Sequence, residues 1–223
     1  MYSIKEVLKS QIFFQSLNEL ELEKLVSIST LHSYTKGYLL YYEQQKSSEL
    51  LFLLKGLARA YKIDKHENEI FLYYIYENSM ISEISDLELI SLESFSNIEL
   101  VEDSQILSIN YKKFKEMFLD KHILYKPFTN EIIKRSLQLH SLVNREFIFD
   151  AVSKVSMMLH SDLEMFNRLK RHDISLMLHI QPSTLSRVLN RLKRNDIIDI
   201  IHGKVMVLNL AALENIYKES IDA

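Results

Sequence analysis

Residues 181–194, QPSTLSRVLNRLKR, place the short hydroxyl side chains of Ser183, Thr184 and Ser186 just ahead of Arg187 and Arg191. Read at 3.6 residues per turn, these polar groups and Asn190 share the outer side of a helix, while Leu185, Val188, Leu189 and Leu192 share the side that faces a core. Such a face can hydrogen-bond a polyanion that also displays donors and acceptors. Short residues let the helix approach closely, and a guanidinium makes a fork to paired acceptors such as guanine O6 and N7. Ser183, Thr184, Ser186 and Arg187 are therefore predicted to meet base edges, and Arg171, Gln181, Arg191, Lys193, Arg194 and Lys204 to reach phosphates. Charge agrees with this. Over residues 168–204 eight Lys and Arg stand against three Asp, a net of +5, which leaves −8 on the rest of a chain whose formal charge is −3. The rival is a solvated basic face on a helical bundle, and it leaves unexplained why Pro182 and a His202-Gly203 dipeptide flank the same stretch.

The elements needed to hold that face are legible around it. HDISLMLHIQPSTLSRVLNRLKRN divides into a helix over 172–178, a turn over 179–181 and a helix from Pro182 to Arg194, which is helix-turn-helix spacing. Pro182 suits the first helical position, where its missing N–H would be unpaired anyway, with Gln181 as the cap. DIIDIIHGKVMVL then alternates apolar residues on either side of His202-Gly203, predicting a β-wing with Lys204 near its tip. Upstream, helical segments are predicted over 146–161 and 171–178, with a hinge in NREFIF at 144–149.

A long helix starting near Pro127 carries a broad apolar stripe of Phe128, Ile132, Ile133, Leu137, Leu139, His140 and Val143. One side is predicted to pack on its own domain and the other on a second copy, with Phe128, Ile132, Ile133, Leu137 and His140 at the dimer interface. The rival is a helix buried wholly within one chain. Residues 17–28 read as a short amphipathic helix, and GYLLYY, ELLFLLKG, LARAYKI, EIFLYYIY and QILSIN as strands at about ten-residue intervals, the pattern of an antiparallel β-roll. The predicted fold is α+β: a β-roll domain over 1–120, a dimerisation helix and hinge over 121–145, and a winged helix-turn-helix over 146–223.

The composition excludes several chemistries. The 223 residues include no Cys, which removes disulfides, thiolate zinc sites, Cys nucleophiles and Cys-ligated iron–sulfur clusters. Gly 3 leaves no glycine-rich phosphate loop, and no nucleophile, base and orienter stand out together, so an enzyme is not expected. Apolar runs such as LLFLL fall far short of the roughly 20 residues that span a bilayer, and the first residues lack a signal-peptide layout, so a cytoplasmic protein without a membrane partner is predicted.

The segment QPSTLSRVLNRLKRNDII, together with FFQSLNELELEKL, YTKGYLLYYE and LFLLKGLARAY, resembles the Crp/Fnr family of bacterial transcription regulators over nearly the whole chain. Gly37 and Gly56 match the family's turn glycines. The resemblance implies a homodimer with a signal-sensing β-roll, DNA with palindromic half-sites as partner, RNA polymerase as a further partner and an unknown small-molecule effector. It also points to a candidate effector pocket. Ile81, Ser82 and Glu83 align with the start of the family's phosphate cassette, and Phe95-Ser96 with its Arg-Ser. The arginine is missing, and Glu88, Glu93 and Glu99 would repel a phosphate, so cyclic AMP is not expected to bind tightly. No cofactor is expected; haem stays open because the chain has 8 His and 8 Met, though no spacing marks a ligand. Ser183 stands where relatives carry glutamate, and His179 where they carry a turn glycine. The rival functions are a ligand-binding or protein-interaction module with vestigial DNA binding, and a haem-based gas or nitric oxide sensor.

Overall fold

In the computed structural model, which describes residues 4–222, the chain divides between Gln138 and Leu139 into two compact units. The first opens with helix α1 (Ile4–Ser10), a 3-10 turn (Ile12–Phe14) and α2 (Glu19–Ser27). A reciprocal cap fixes the start of α2: Glu21 N donates to Asn18 Oδ1 at 3.0 Å, and Asn18 N donates to Glu21 Oε2 at 2.9 Å. The strands are β1 (Ser29–Tyr34), β2 (Leu39–Tyr41), β3 (Lys46–Ser47), β4 (Glu49–Lys55), β5 (Ala58–Ile63), β6 (Glu69–Ile75), β7 (Ser79–Met80), β8 (Leu92–Glu93), β9 (Asn97–Leu100) and β10 (Ser104–Asn110). They pair antiparallel in the orders β1-β10-β4-β7 and β2-β9-β5-β6, with β3-β8 as a short ribbon. Each of the five strand-like stretches in the sequence contributes a strand, β1 and β9 form outside those stretches, and the short β3, β7 and β8 carry too few residues for a period to show.

Leu53, Ala60, Tyr73, Ile75, Ile98 and Ile106 form one apolar cluster of this unit. A second cluster joins α1 and α2 to β4 and β10, and there the rings of Phe13, Phe14 and Phe52 meet edge to face with centroids 4.8 to 5.3 Å apart. Gly56 turns the chain from β4 into β5 with φ +106°, and a Cβ there would lie 2.2 Å from Ser104 Oγ, so only glycine fits.

After β10, α3 (Tyr111–Phe114) runs into a π-helical turn (Lys115–Leu119), followed by α4 (Tyr125–Phe147). Pro127 is the third residue of α4, where a backbone N–H would have no intrahelical acceptor. The apolar stripe of this helix splits in two. Phe128 is 1% exposed, with its ring 6.2 Å from that of Phe114, and Ile132 packs on the same cluster. Phe128 is thus covered by its own unit and does not belong to a dimer interface as the sequence suggested. Ile133, Leu137, Leu139, His140 and Val143 are exposed.

The second unit contains α5 (Ala151–Ser161), α6 (Leu163–Arg168), α7 (Arg171–Met177), α8 (Pro182–Arg194), β11 (Ile198–Ile201), β12 (Lys204–Val207) and α9 (Leu210–Asp222), with α5 packed on α8 and α9. Two aspartates set its boundaries: Asp150 Oδ1 accepts from Ser153 N at 2.8 Å to start α5, and Asp162 Oδ1 accepts from Met165 N at 3.2 Å to start α6. The predicted hinge and helix start shift accordingly. Asn144–Phe147 remain in α4, and the break spans residues 148–150 ahead of the Asp150 cap. Among the described residues, no helix is long and apolar enough to cross a membrane.

Candidate functional site

The second unit builds a polar face on α8 from its core outward. Leu185, Val188, Leu189 and Leu192 are buried, each contributing about 1.5–3 kcal/mol, and they fix which side of α8 is turned out. On that outer side Ser183, Ser186, Arg187, Asn190, Arg191, Lys193 and Arg194 are exposed and Thr184 is half-buried. Gln181 is the N-cap residue without a side-chain cap bond, and Pro182 opens the helix. Arg187 Nη2 donates to Thr184 Oγ1 at 3.1 Å, which holds the guanidinium along the helix one turn from its start. Ser186 Oγ donates to Pro182 O at 3.1 Å, so its hydrogen is already used and it can only accept from a ligand.

The turn before α8 forms despite lacking glycine. His179 takes φ 50°, with its N–H bonded to Leu176 O at 3.1 Å and Ile180 N to Ser175 O at 3.1 Å, the double bond of a Schellman turn. A non-glycine residue there costs about 1–2 kcal/mol. The His179 ring returns some of it, since Nδ1 lies 2.7 Å from Glu146 Oε2. Arg145 Nε also donates to Glu146, at 3.1 Å, and Lys154 Nζ lies 3.8 Å away. Burial opposes ionisation of Glu146, but the bonds from His179 and Arg145 outweigh it and hold the carboxyl below its usual value.

β11 and β12 form a hairpin with Ile201 opposite Lys204, and His202 and Gly203 take φ 49° and 80°, the two left-handed positions of a type I′ turn. Lys204 is exposed at the tip. Two side chains tie this wing down. Asn167 Nδ2 donates to Val205 O at 2.9 Å while Val205 N donates to Asn167 Oδ1 at 2.8 Å, so the amide acts as an extra strand edge. Arg171 lies over the Phe166 ring at 4.6 Å, and its Nη2 donates to Gly203 O at 3.0 Å. Its Nη1 is buried without a hydrogen-bond partner, and burial pulls its pKa down. Arg171 therefore braces the wing and is not displayed for phosphates as the sequence suggested. Lys193 remains half-exposed but is paired with Asp199 at 2.7 Å. Neither Asn167 nor the Glu146 contact could be found from spacing, because each joins segments more than 30 residues apart.

In the first unit, the residues matched to a phosphate cassette divide. Glu83 accepts from Tyr73 Oη at 2.5 Å, from Phe95 N at 2.6 Å and from Ser96 Oγ at 3.3 Å. Ser82 is separate: its Oγ accepts from Leu51 N at 2.9 Å. The Phe95 side chain is 46% exposed, so only its backbone N–H joins the cluster. Glu99 is not a free repelling charge, because Arg59 Nη2 meets it at 2.6 Å.

The family model of the cyclic nucleotide-binding domain matches residues 31–121, and that of the Crp-like helix-turn-helix domain matches residues 156–216. No curated protein matches the sequence. Among solved structures, a CooA mutant from Carboxydothermus hydrogenoformans is similar with a TM-score of 0.71 and 17% identity, over 96% of this chain and 95% of that one. FixK2 from Bradyrhizobium japonicum gives a TM-score of 0.66 and 19% identity, over 85% and 97%. CLP from Xanthomonas campestris, described as a c-di-GMP responsive global regulator, gives 0.67 and 14%, over 85% and 99%. At these identities the likeness is one of fold. With a cyclic nucleotide-binding domain and a Crp-like helix-turn-helix domain that together match more than half of it, the chain belongs to the Crp/Fnr family of transcription regulators.

Proposed function

We propose that this regulator binds palindromic DNA as a homodimer through α8, reads bases with Ser183, Thr184 and Arg187, and is not switched by cyclic AMP. The observation that carries the reading is the exposed face of α8, where short hydroxyls lie beside an arginine braced by Thr184. Exposed Arg191, Arg194 and Lys204 supply phosphate contacts that fix register without reading sequence. Homodimerisation is supported by α4, on which Ile133 (52% exposed), Leu137 (63%) and Phe147 (84%) recur at helical spacing with nothing of their own unit over them. The chain has no Cys, which leaves no thiolate for an iron–sulfur cluster. DNA as the partner supports a cytoplasmic site of action.

Selection of bound duplexes from random sequence, followed by affinity measured against salt, tests this. A palindromic preferred site and a log–log salt slope of several units are expected. Binding that lacks sequence preference, or a flat slope, would favour the rival of a ligand-binding or protein-interaction module with vestigial DNA binding.

A further inference from the structure

Glu83 is held in a way that an ordinary structural carboxylate is not. Its two oxygens draw together three segments of the first unit: β6 through Tyr73, the stretch after β7 that carries Glu83 itself, and the turn between β8 and β9 through Phe95 and Ser96. Tyr73 Oη donates to Oε1 at 2.5 Å, and Phe95 N donates to Oε2 at 2.6 Å. Ser96 Oγ lies 3.3 and 3.4 Å from the two oxygens. Ser94 Oγ is 3.2 Å from Oε2, although its one hydrogen is better placed for Ser96 O at 2.7 Å. Tyr73, Ser94 and Ser96 are buried, with Ser96 0% exposed. Tyr73 Oη, Phe95 N–H and Ser96 Oγ are neutral donors from two segments other than the one that carries Glu83, and its carboxylate is the acceptor they share.

We propose that Tyr73, Phe95 N–H and Ser96 form an oxyanion receptor which the chain fills with its own Glu83 carboxylate, so that the β-roll is permanently self-liganded. The ligand class that fits is a compact carboxylate or similar oxyanion, and it can enter only where Glu83 has been withdrawn. A cyclic phosphate is then excluded because the donors are already engaged, a reason separate from the missing arginine. Burial also pushes the Tyr73 hydroxyl well above its usual pKa, and the adjoining carboxylate adds to the effect, so the phenol stays a donor.

Glu83→Ala deletes the atoms of one acetate ion, which makes acetate the probe. The melting temperature of the variant should lie below that of the wild-type chain and should rise with acetate in a saturable way, against chloride at equal ionic strength and pH. Wild type should not respond. Glu83→Gln, whose side chain still fills the receptor, should not respond either, and adding Tyr73→Phe to Glu83→Ala should raise the half-saturating acetate concentration several-fold. Should Glu83→Ala not fold unaided, its refolding yield in acetate against chloride reads the same contact. A flat acetate response of Glu83→Ala in both melting and refolding, or an equal response in Glu83→Gln, overturns the proposal. The readout needs no DNA, so its failure is distinct from a failure of the DNA-binding reading.

Discussion

Arg187 and Arg171 carry the same guanidinium into different surroundings, one exposed on α8 beside Thr184, the other wedged between the Phe166 ring and Gly203 O. Their alanine variants should therefore fail in different assays. Arg187→Ala is expected to cost about 1–3 kcal/mol per half-site on the preferred duplex and to relax selection at a guanine, read by binding-site selection. Arg171→Ala should instead lower stability by about 1–2 kcal/mol in denaturant melts, through the lost cation–π contact and the lost bond to Gly203 O. Its salt slope for DNA should stay near that of wild type. Arg191→Ala and Lys204→Ala should do the reverse, weakening all duplexes alike and lowering the slope by about 1 each per half-site. Ser183→Glu places an acceptor where only a hydroxyl stood, so selection should move toward a cytosine at the facing position. Unchanged preferred sequences in both Arg187→Ala and Ser183→Glu would mean that α8 does not lie in the major groove.

Among the elements, α4 and the turn before α8 each combine two roles. Phe128 and Leu137 are nine residues apart on α4, yet Phe128 is 1% exposed and Leu137 63%. Phe128→Ala should cost about 3–5 kcal/mol, measured by denaturant unfolding of the first unit. Ile133→Asp with Leu137→Asp should leave the fold intact and give monomers in sedimentation, with DNA binding lost. The turn makes its own prediction through Glu146. Its carboxyl releases a proton more readily in the folded state than its ordinary value of 4.5, so its contribution to stability is complete above that pH and fades as pH falls through the lowered folded value. The stability difference between wild type and Glu146→Gln should shrink as pH falls below about 4.5; a difference that grows over that range would contradict this.

The whole molecule joins a β-roll unit to a helix-turn-helix unit in one chain. Adding cyclic AMP should shift neither the melting temperature nor the DNA affinity, because Phe95 replaces the expected arginine and Glu83 already holds the donors. A ligand at 100 times its dissociation constant would stabilise by about 2.7 kcal/mol, well within the reach of a melting assay. Sedimentation at micromolar concentration should show a dimer, and a native monomer would remove the basis for palindromic recognition.

What the sequence determined by itself is what local rules determine. The core side of α8 follows from the spacing of Leu185, Val188, Leu189 and Leu192, its start from Pro182, and the wing from His202-Gly203, because period, ring geometry and left-handed turn positions act within a few residues. Strands β2, β4, β5, β6 and β10 and the amphipathic α2 were legible for the same reason. Only the tertiary structure decided which half of the α4 stripe is core, that Arg171 braces the wing, that Asn167 pairs with Val205, and that Glu83 accepts from Tyr73 and Phe95. Each of these joins side chains that are distant along the chain, and a guanidinium or carboxylate looks the same in sequence whether it faces solvent or is spent on a buried donor. The physical difference lies in desolvation and in hydrogen-bond partners, which exist only once the segments have been brought together.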